Sequence, residues 1–178
     1  IGVTGVQTVA LPSSVLYLLH GLFGDRNNWV ESTSRRREAR RQDLIVITAK
    51  GGDSCYVNSA TKQNDRFESY FLNELIPAID GSLRTKPRRG SRGIAGLSMG
   101  GYGSLKFALK RPDLFAFASS SSGAFNGPLL SEATGFYGWE EMRPSILKAL
   151  GKPHSRARKV NDLWRIASEF DASKCPAP

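Results

Sequence analysis

Cysteine and histidine are scarce in this sequence, which contains two of each among 178 residues. Cys55 and Cys175 lie far apart and form no CxxC pair, so neither a zinc site nor a disulfide framework is supported. We therefore predict no metal and no organic cofactor. Both thiols are interpreted as buried or idle.

Long hydrophobic runs are also missing. The longest apolar stretches, such as 15–19, have the length of a strand and fall far short of the roughly 20 residues that cross a bilayer. The chain begins at Ile1 and shows no basic segment followed by an apolar one, so we expect its true start to be missing. These features predict a soluble protein without a membrane span. A cytoplasmic location is favoured, and secretion stays open.

Acidic residues are outnumbered, with 16 Asp and Glu against 25 Lys and Arg and a net charge of +9. Such a balance can attract nucleic acid or acidic substrates. The basic clusters lack the interleaved aromatic residues of a single-strand-binding surface, so a solvated basic face is favoured and a nucleic-acid partner is not expected. These clusters are Arg35–Arg37, Arg40–Arg41, Lys86–Arg89 and Arg156–Lys159.

Apolar residues alternate along the chain between continuous runs and helical stripes. The runs predict strands buried on both faces, and the stripes predict helices with one face toward a core. Strands that alternate with helices form βαβ units, which predicts a mostly parallel sheet in one α/β domain. The predicted strands are 15–19, 44–48, 93–97 and 114–118, and the predicted helices are 66–80, with a kink at Pro77, and 99–110.

The helix predicted over 99–110 carries two lysines. Its apolar stripe runs from Tyr102 to Leu109, which predicts Lys106 and Lys110 on the opposite side, near the negative end of the helix.

Residues 123–170 show no strand pattern. Asn126-Gly127-Pro128 opens a loop, and helices are predicted over 139–150 and 160–170. We expect an insertion or cap-like segment over one edge of the sheet, within a single domain that spans 1–178.

Ser98 stands in a Gly-x-Ser-x-Gly motif that runs from Gly96 to Gly100. The motif alone is weak, but here a predicted strand runs directly into Ser98 and an amphipathic helix follows at once. This context is typical of a nucleophile elbow, in which a strained turn raises the serine hydroxyl above the carboxyl edge of the sheet. The N–H of Met99, at the positive end of the helix, is then a candidate donor to an oxyanion.

A second donor is predicted just past the first strand, in His20-Gly21-Leu22-Phe23-Gly24. Acyl transfer needs two backbone N–H groups aimed at the oxygen that becomes negative. Leu22 is the first choice for this donor and Phe23 the second. His20 is interpreted as a structural histidine that holds the loop, not as the catalytic base.

Several stretches carry a further signal in combination: 16–29, Tyr56-Val57-Asn58-Ser59, 73–77 and 94–103. Together they resemble the Putative esterase family of α/β-hydrolases, which includes tributyrin-type and feruloyl esterases, S-formylglutathione hydrolases and, more distantly, antigen 85 mycolyltransferases. The resemblance implies an α/β-hydrolase sandwich of three layers, with Ser98 as nucleophile and the N–H groups of Leu22 and Met99 as the oxyanion hole.

The acid and the histidine of a serine triad are harder to find. This fold needs them after the nucleophile, acid first, and the one histidine that follows Ser98 is His154, which we interpret as a surface residue. The resemblance implies two further strands that carry the acid and the histidine, expected beyond Pro178. We therefore predict a fold incomplete at its C-terminus and an inactive or weakly active fragment. The acids rejected on position are Asp113, Glu132, Glu140 and Glu141.

The leading hypothesis is a serine hydrolase that cleaves a small-molecule carboxylic ester through an acyl-enzyme on Ser98. A thioesterase or acyltransferase of the same family is the alternative. A hypothesis of another class is a non-catalytic fragment with a basic, anion-binding surface. No pattern in the sequence indicates the acyl group, the alcohol or an oligomeric state.

Overall fold

A five-stranded sheet lies at the centre of the residues that the computed structural model describes, 4–5, 12–31, 44–130 and 139–174. The sheet order is β1-β3-β2-β4-β5; β2 to β5 run parallel, and β1 pairs with β3 antiparallel. The predicted α/β fold with a mostly parallel sheet is confirmed. The strands are β1 Thr4–Gly5, β2 Ser14–Leu19, β3 Leu44–Ala49, β4 Arg92–Leu97 and β5 Phe117–Ser121.

Helices connect the strands and follow β5. None of the described helices is long and apolar enough to cross a membrane. Short 3-10 turns lie at Arg89–Ser91, Gly127–Leu129 and Ala172–Lys174. The helices are α1 Asn28–Glu31, α2 Phe67–Tyr70, α3 Ile76–Ser82, α4 Met99–Lys110, α5 Trp139–Leu150, α6 Arg156–Val160 and α7 Leu163–Ser168.

The helix predicted over 66–80 is present as one run, because a π-helical turn at Phe71–Leu75 joins α2 to α3. Pro77 has no N–H to donate to the carbonyl four residues earlier, and its ring collides with that carbonyl. A wider turn just before the proline takes up this mismatch. The chain therefore stays helical through Pro77.

The fourth strand was predicted in the wrong place, over 114–118. The turn that ends α4 continues to Leu114, and Phe115 is buried at 4% exposure without belonging to a strand. The strand itself is Phe117–Ser121, with the sequence FASSS. Its serines carry no hydrophobic pattern, whereas the residues just before it are apolar. The predicted strand therefore begins three residues too early.

The helix predicted over 160–170 is also corrected, because the helix in this range is shorter and spans Leu163–Ser168. α6 ends at Val160, and α7 begins at Leu163. Between them, the Asp162 carboxylate accepts a hydrogen bond from the Trp164 N–H and caps the new helix. Leu163 is 5% exposed and Val160 is 46% exposed, so the apolar residues of this pattern do not share one buried face.

Helix α4 is covered on more sides than its apolar stripe predicts. It contacts β2, β4 and β5, and it also contacts α7. Lys106, predicted on the exposed side, is 0% exposed, so that prediction is wrong. The reason is tertiary: the Lys106 ammonium is surrounded by the Tyr56 carbonyl, the Glu68 carboxylate and the Asn161 side chain. Lys110 keeps 27% exposure.

The chain after β5 packs against α4 and lies close to Ser98. The Tyr102 hydroxyl donates to the Asn161 carbonyl at 2.6 Å, and both α5 and α6 contact the Gly127–Leu129 turn. In the described part of 122–174 there is no strand. These contacts place helical chain beside the turn that holds Ser98.

Candidate active site

Ser98 joins β4 to α4 in a strained turn, with φ 53° and ψ −115°. A side-chain-bearing residue in such a conformation costs on the order of 1–3 kcal/mol, which the surroundings must offset. The Ser98 N–H donates to the Ser121 carbonyl at 2.9 Å, and the Ser98 carbonyl accepts from the N–H groups of Tyr102 and Ala124, both at 3.0 Å. Backbone groups from three segments thus hold the turn that the motif predicts.

Two glycines of the motif are needed because backbone approaches backbone there. A Cβ added to Gly96 would lie 2.2 Å from the Gly100 carbonyl oxygen. A Cβ added to Gly100 would lie 2.2 Å from the Leu19 carbonyl oxygen. Neither contact can be relieved by a side-chain rotation, so β2, β4 and α4 meet this closely only with glycine at both positions.

The positive end of α4 lies beside the Ser98 hydroxyl. Ser98 makes no side-chain cap to the helix. Met99 is the first helical residue, and the first N–H groups of a helix have no carbonyl acceptor within it. Residues 20–24, which we call the His20 loop, lie on the other side: a Cβ added to Gly21 would be 3.5 Å from the Ser98 Cβ.

His20 holds its loop through both ring nitrogens and is 1% exposed. Its Nε2 lies 2.9 Å from the Gly51 N–H, which can only donate to an unprotonated nitrogen. The ring proton is therefore on Nδ1, which donates to the Gly21 carbonyl at 2.7 Å. The interpretation of His20 as a structural histidine is confirmed, because neither nitrogen is left for Ser98.

The two candidates for the second oxyanion donor differ in whether a carboxylate already binds their N–H group. The Phe23 N–H donates to Asp53 Oδ1 at 2.8 Å. The Leu22 N–H donates to no described residue. A donor already bound to an anion is poorly suited to an oxyanion, so this geometry favours Leu22, the first choice, over Phe23.

A small apolar cavity of about 50 Å³ opens at Ser98. Ser98, Met99 and Leu22, the three residues predicted for the chemistry, line it together. A second cavity of about 400 Å³ lies along the His20 loop and is also lined by Trp29 and Leu97. The other residues around the small cavity are Cys55, Tyr102, Ala124, Gly127, Pro128, Leu130, Met142, Ile146 and Leu150.

Cys55 is the other reactive side chain at this cavity. Burial raises the pKa of its thiol to about 11. A thiol with that pKa stays protonated at neutral pH and is a poor nucleophile. Its interpretation as a buried thiol is confirmed, whereas Cys175 lies outside the described residues.

No carboxylate or histidine is among the described residues that line the cavity at Ser98. His154 is exposed in the turn after α5, as predicted for a surface residue. Asp113 is tied up in a surface ion pair, Glu140 and Glu141 are exposed on α5, and Glu132 lies outside the described residues. The described part of the chain also contains no group of His, Cys, Asp and Glu that could hold a metal ion.

Two arginines of the basic clusters, Arg89 and Arg158, donate hydrogen bonds within the fold. Arg158 is 4% exposed, and its guanidinium donates to main-chain carbonyls. Arg89 donates from Nε to the Pro112 carbonyl at 2.9 Å. The clusters Arg35–Arg37 and Arg40–Arg41 lie outside the described residues.

Three residues that support the site were missed by the sequence reasoning. Gly51 and Asp53 bind the His20 loop, and the Tyr56 hydroxyl donates to the His20 carbonyl at 3.2 Å. These bonds join residues 30 or more positions apart. Tyr56 had a signal only as part of the family-like segment 56–59, and Gly51 and Asp53 had none.

Comparison with known proteins identifies the family. A family model described as Putative esterase matches residues 6–172. The chain is 32% identical over 113 residues to an esterase of Mycobacterium tuberculosis, Rv1288, a match that covers 61% of this chain and 25% of that protein. It is 30% identical over 162 residues to the diacylglycerol acyltransferase/mycolyltransferase Ag85A of Mycobacterium leprae, with 85% of this chain and 45% of that protein covered.

Solved structures agree with this assignment. The fluorophosphonate-binding serine hydrolase FphF of Staphylococcus aureus, in a substrate-bound structure, superposes with a TM-score of 0.75 at 30% identity. That match covers 91% of this chain and 60% of the other. The chain therefore has the α/β-hydrolase fold and spans less than two thirds of the length of each of these proteins.

Proposed function

Because the chain belongs to the Putative esterase family, we propose that it hydrolyses small carboxylic esters through an acyl-enzyme on Ser98. The observation that supports this most is the shared cavity: Ser98, Met99 and Leu22 line one small space. A nucleophile and two backbone donors on one cavity meet the geometric need of acyl transfer.

In this proposal the Ser98 Oγ attacks the ester carbonyl carbon and loses its proton to a base. The carbonyl oxygen becomes an oxyanion, which the N–H groups of Met99 and Leu22 stabilise. Collapse of the tetrahedral species expels the alcohol and leaves an acyl group on Ser98, and water then releases the carboxylic acid. The proposal assigns the base to residues outside the described part of the chain.

The size and lining of the cavity also favour a substrate with a short acyl group. It measures about 50 Å³, and aliphatic side chains such as Leu130, Ile146 and Leu150 form much of its wall. An apolar wall stabilises a hydrocarbon chain and contains no partner for a charged one. We therefore expect acetyl or propionyl esters to be better substrates than octanoyl esters.

Hydrolysis of p-nitrophenyl acetate by the complete protein tests the proposal. Ser98→Ala should lower kcat/KM by roughly 10³-fold or more, since loss of the nucleophile leaves only the contributions of binding and of the oxyanion donors. Ser168→Ala is the matched control, because that hydroxyl lies on α7 and donates to the Arg165 carbonyl. Equal rates for Ser98→Ala and the parent protein would contradict the proposal.

Acyl transfer to an alcohol or thiol is the second candidate. The similarity to a mycolyltransferase over 85% of the chain favours it, together with the cavity of about 400 Å³ beside the His20 loop, which has room for an acceptor. Adding an alcohol to the p-nitrophenyl acetate reaction separates the two. A transferase gives the new ester as its main product, whereas a hydrolase gives acetate.

A further inference from the structure

Lys106 is a fully buried ammonium group on α4, eight residues after Ser98. It is 0% exposed, and its Nζ donates to the Tyr56 carbonyl at 2.8 Å, to Glu68 Oε2 at 2.6 Å and to Asn161 Oδ1 at 3.3 Å. Burying a lysine is costly even when it is paired, and a hydrophobic residue often replaces such a pair without loss of stability. The contact with a main-chain carbonyl indicates a more specific role.

The carbonyl belongs to the 51–57 loop, and this loop is the support of the His20 loop. Gly51 donates to the His20 ring at 2.9 Å, and the Asp53 carboxylate accepts from the Phe23 N–H at 2.8 Å. The Tyr56 hydroxyl donates to the His20 carbonyl at 3.2 Å. Three bonds thus transmit the position of the 51–57 loop to the residues on either side of Leu22.

The 51–57 loop is strained at the point that Lys106 holds. Cys55 and Tyr56 have consecutive positive φ angles, 52° and 50°, in a region that L-residues other than Asn and Asp rarely adopt. Such a conformation persists only where the surroundings enforce it. A charge-assisted hydrogen bond from a buried ammonium to the Tyr56 carbonyl is one of the strongest restraints available there.

The Tyr56 ring completes the connection by its packing. It lies between the 51–57 loop and α4, because a Cβ added to Gly51 or to Gly103 would come within 3 Å of it. Any displacement of the ring therefore moves its hydroxyl away from the His20 carbonyl. The Tyr56 side chain is therefore one link between α4, which begins at Met99, and the His20 loop, which contains Leu22.

We propose that Lys106 is a positioning residue for the oxyanion hole: its ammonium fixes the 51–57 loop on α4, and this loop sets the His20 loop against the Met99 N–H. The inference rests on the proposed function for its catalytic meaning. The structural part, that Lys106 determines the hydrogen bonding of His20, stands without it.

Lys110 is a natural control one turn along α4. Its Nζ binds the same Glu68 and Asn161 side chains, at 3.0 Å and 3.4 Å, but not the Tyr56 carbonyl. Lys106→Met and Lys110→Met therefore both remove a cation from one cluster. Only the first removes the contact with the 51–57 loop.

Kinetics on the complete protein test the catalytic part, with rates divided by the amount of Ser98 that a fluorophosphonate labels. A displaced donor weakens transition-state binding more than substrate binding, so Lys106→Met should lower kcat roughly 10-fold to 100-fold with KM nearly constant. Lys110→Met should keep the parent kcat. An unchanged kcat in Lys106→Met would overturn the catalytic part.

The structural part is read from the nitrogen resonances of His20 in the complete protein, labelled with 15N histidine. The parent protein should show the tautomer with the proton on Nδ1, and Lys110→Met should show the same pattern. Lys106→Met should lose that single pattern as the 51–57 loop shifts. Unchanged His20 resonances in Lys106→Met would overturn the structural part, even if the protein hydrolysed no ester.

Tyr56→Phe provides a second route if Lys106→Met does not fold. It removes only the hydroxyl bond to His20 and keeps the ring and the Lys106 contact. The same drop in kcat and the same change at His20 are expected. If the parent shows no turnover that depends on Ser98, the proposed function fails, and the His20 resonances alone decide the positioning role.

Discussion

Around Ser98, residues 92–110 keep their shape through backbone contacts, whereas 139–174 are held to the rest of the protein mainly by side chains. In the first region, backbone hydrogen bonds and the close approach of Gly96 and Gly100 fix the turn. In the second, the Arg158 guanidinium donates to three main-chain carbonyls, those of Gly151, Pro128 and Leu130.

The same segment is joined to the loop after residue 57 in a similar way. The hydroxyls of Ser59 and Thr61 both donate to the Lys148 carbonyl, at 2.7 Å and 2.9 Å. Substitutions that cause a steric collision should therefore destabilise the turn at Ser98. The segment 139–174 should instead be destabilised by substitutions that remove single polar side chains. This difference leads to graded predictions.

Gly100→Ala should have the largest effect on stability. Its methyl group would meet the Leu19 carbonyl at 2.2 Å, so β2 or α4 must move, and we expect a loss of more than about 4 kcal/mol in the free energy of unfolding. Gly81→Ala is the matched control, because nothing lies within 4 Å of its added Cβ. That variant should gain roughly 0.4–1 kcal/mol. Urea denaturation measures both, and equal changes would refute the steric account.

Arg158→Met should have the next largest effect, about 3 kcal/mol, since it removes the charged donor to three main-chain carbonyls. Pro128 and Leu130 line the cavity at Ser98, so a looser wall should also admit longer acyl chains. The exposed neighbour changed in Arg156→Met should alter stability by less than about 0.5 kcal/mol. If the two variants unfold alike, the guanidinium does not hold this segment.

Glu68→Gln tests the contact between residues 92–110 and 139–174 at Lys106, which binds both Glu68 and Asn161. Burial raises the pKa of Glu68, but the ammonium groups of Lys106 and Lys110 lower it by more, so the folded-state pKa lies below the usual value. The stability from this carboxylate is then present above its unfolded pKa and lost as pH falls through its folded pKa. At pH 7 the variant should be less stable by about 2 kcal/mol, and the gap should close toward acid pH.

Unfolding curves between pH 7 and pH 3 measure this gap. Glu74→Gln is the control, because Glu74 is exposed on the adjoining helical turn. Its stability profile should follow that of the parent protein. A gap of constant size for Glu68→Gln would show that a neutral amide disrupts the site by shape and not by charge.

Local pattern was sufficient for the part of the site built on a strand and the helix after it. Helix α4 has the predicted bounds, 99–110, and Ser98 has the predicted strained turn. These features depend on residues next to one another in the chain, since strand runs, helical stripes and glycine spacing are short-range properties. The place of His20 directly after β2 is likewise a local feature, whereas the partners that hold it, Gly51 and Tyr56, are 31 and 36 residues away.

The contacts that support the Ser98 region, by contrast, depend on tertiary structure. Our preference for Leu22 over Phe23 as the proposed donor depends on Asp53, which lies 30 residues from Phe23. The polar partners of the buried Lys106 include Tyr56 and Asn161, which are 50 and 55 residues away. Periodicity assigns each side chain a face of its own helix or strand but does not indicate what covers that face. For that reason the sequence determined the turn at Ser98, and only the packing of distant segments determined its surroundings.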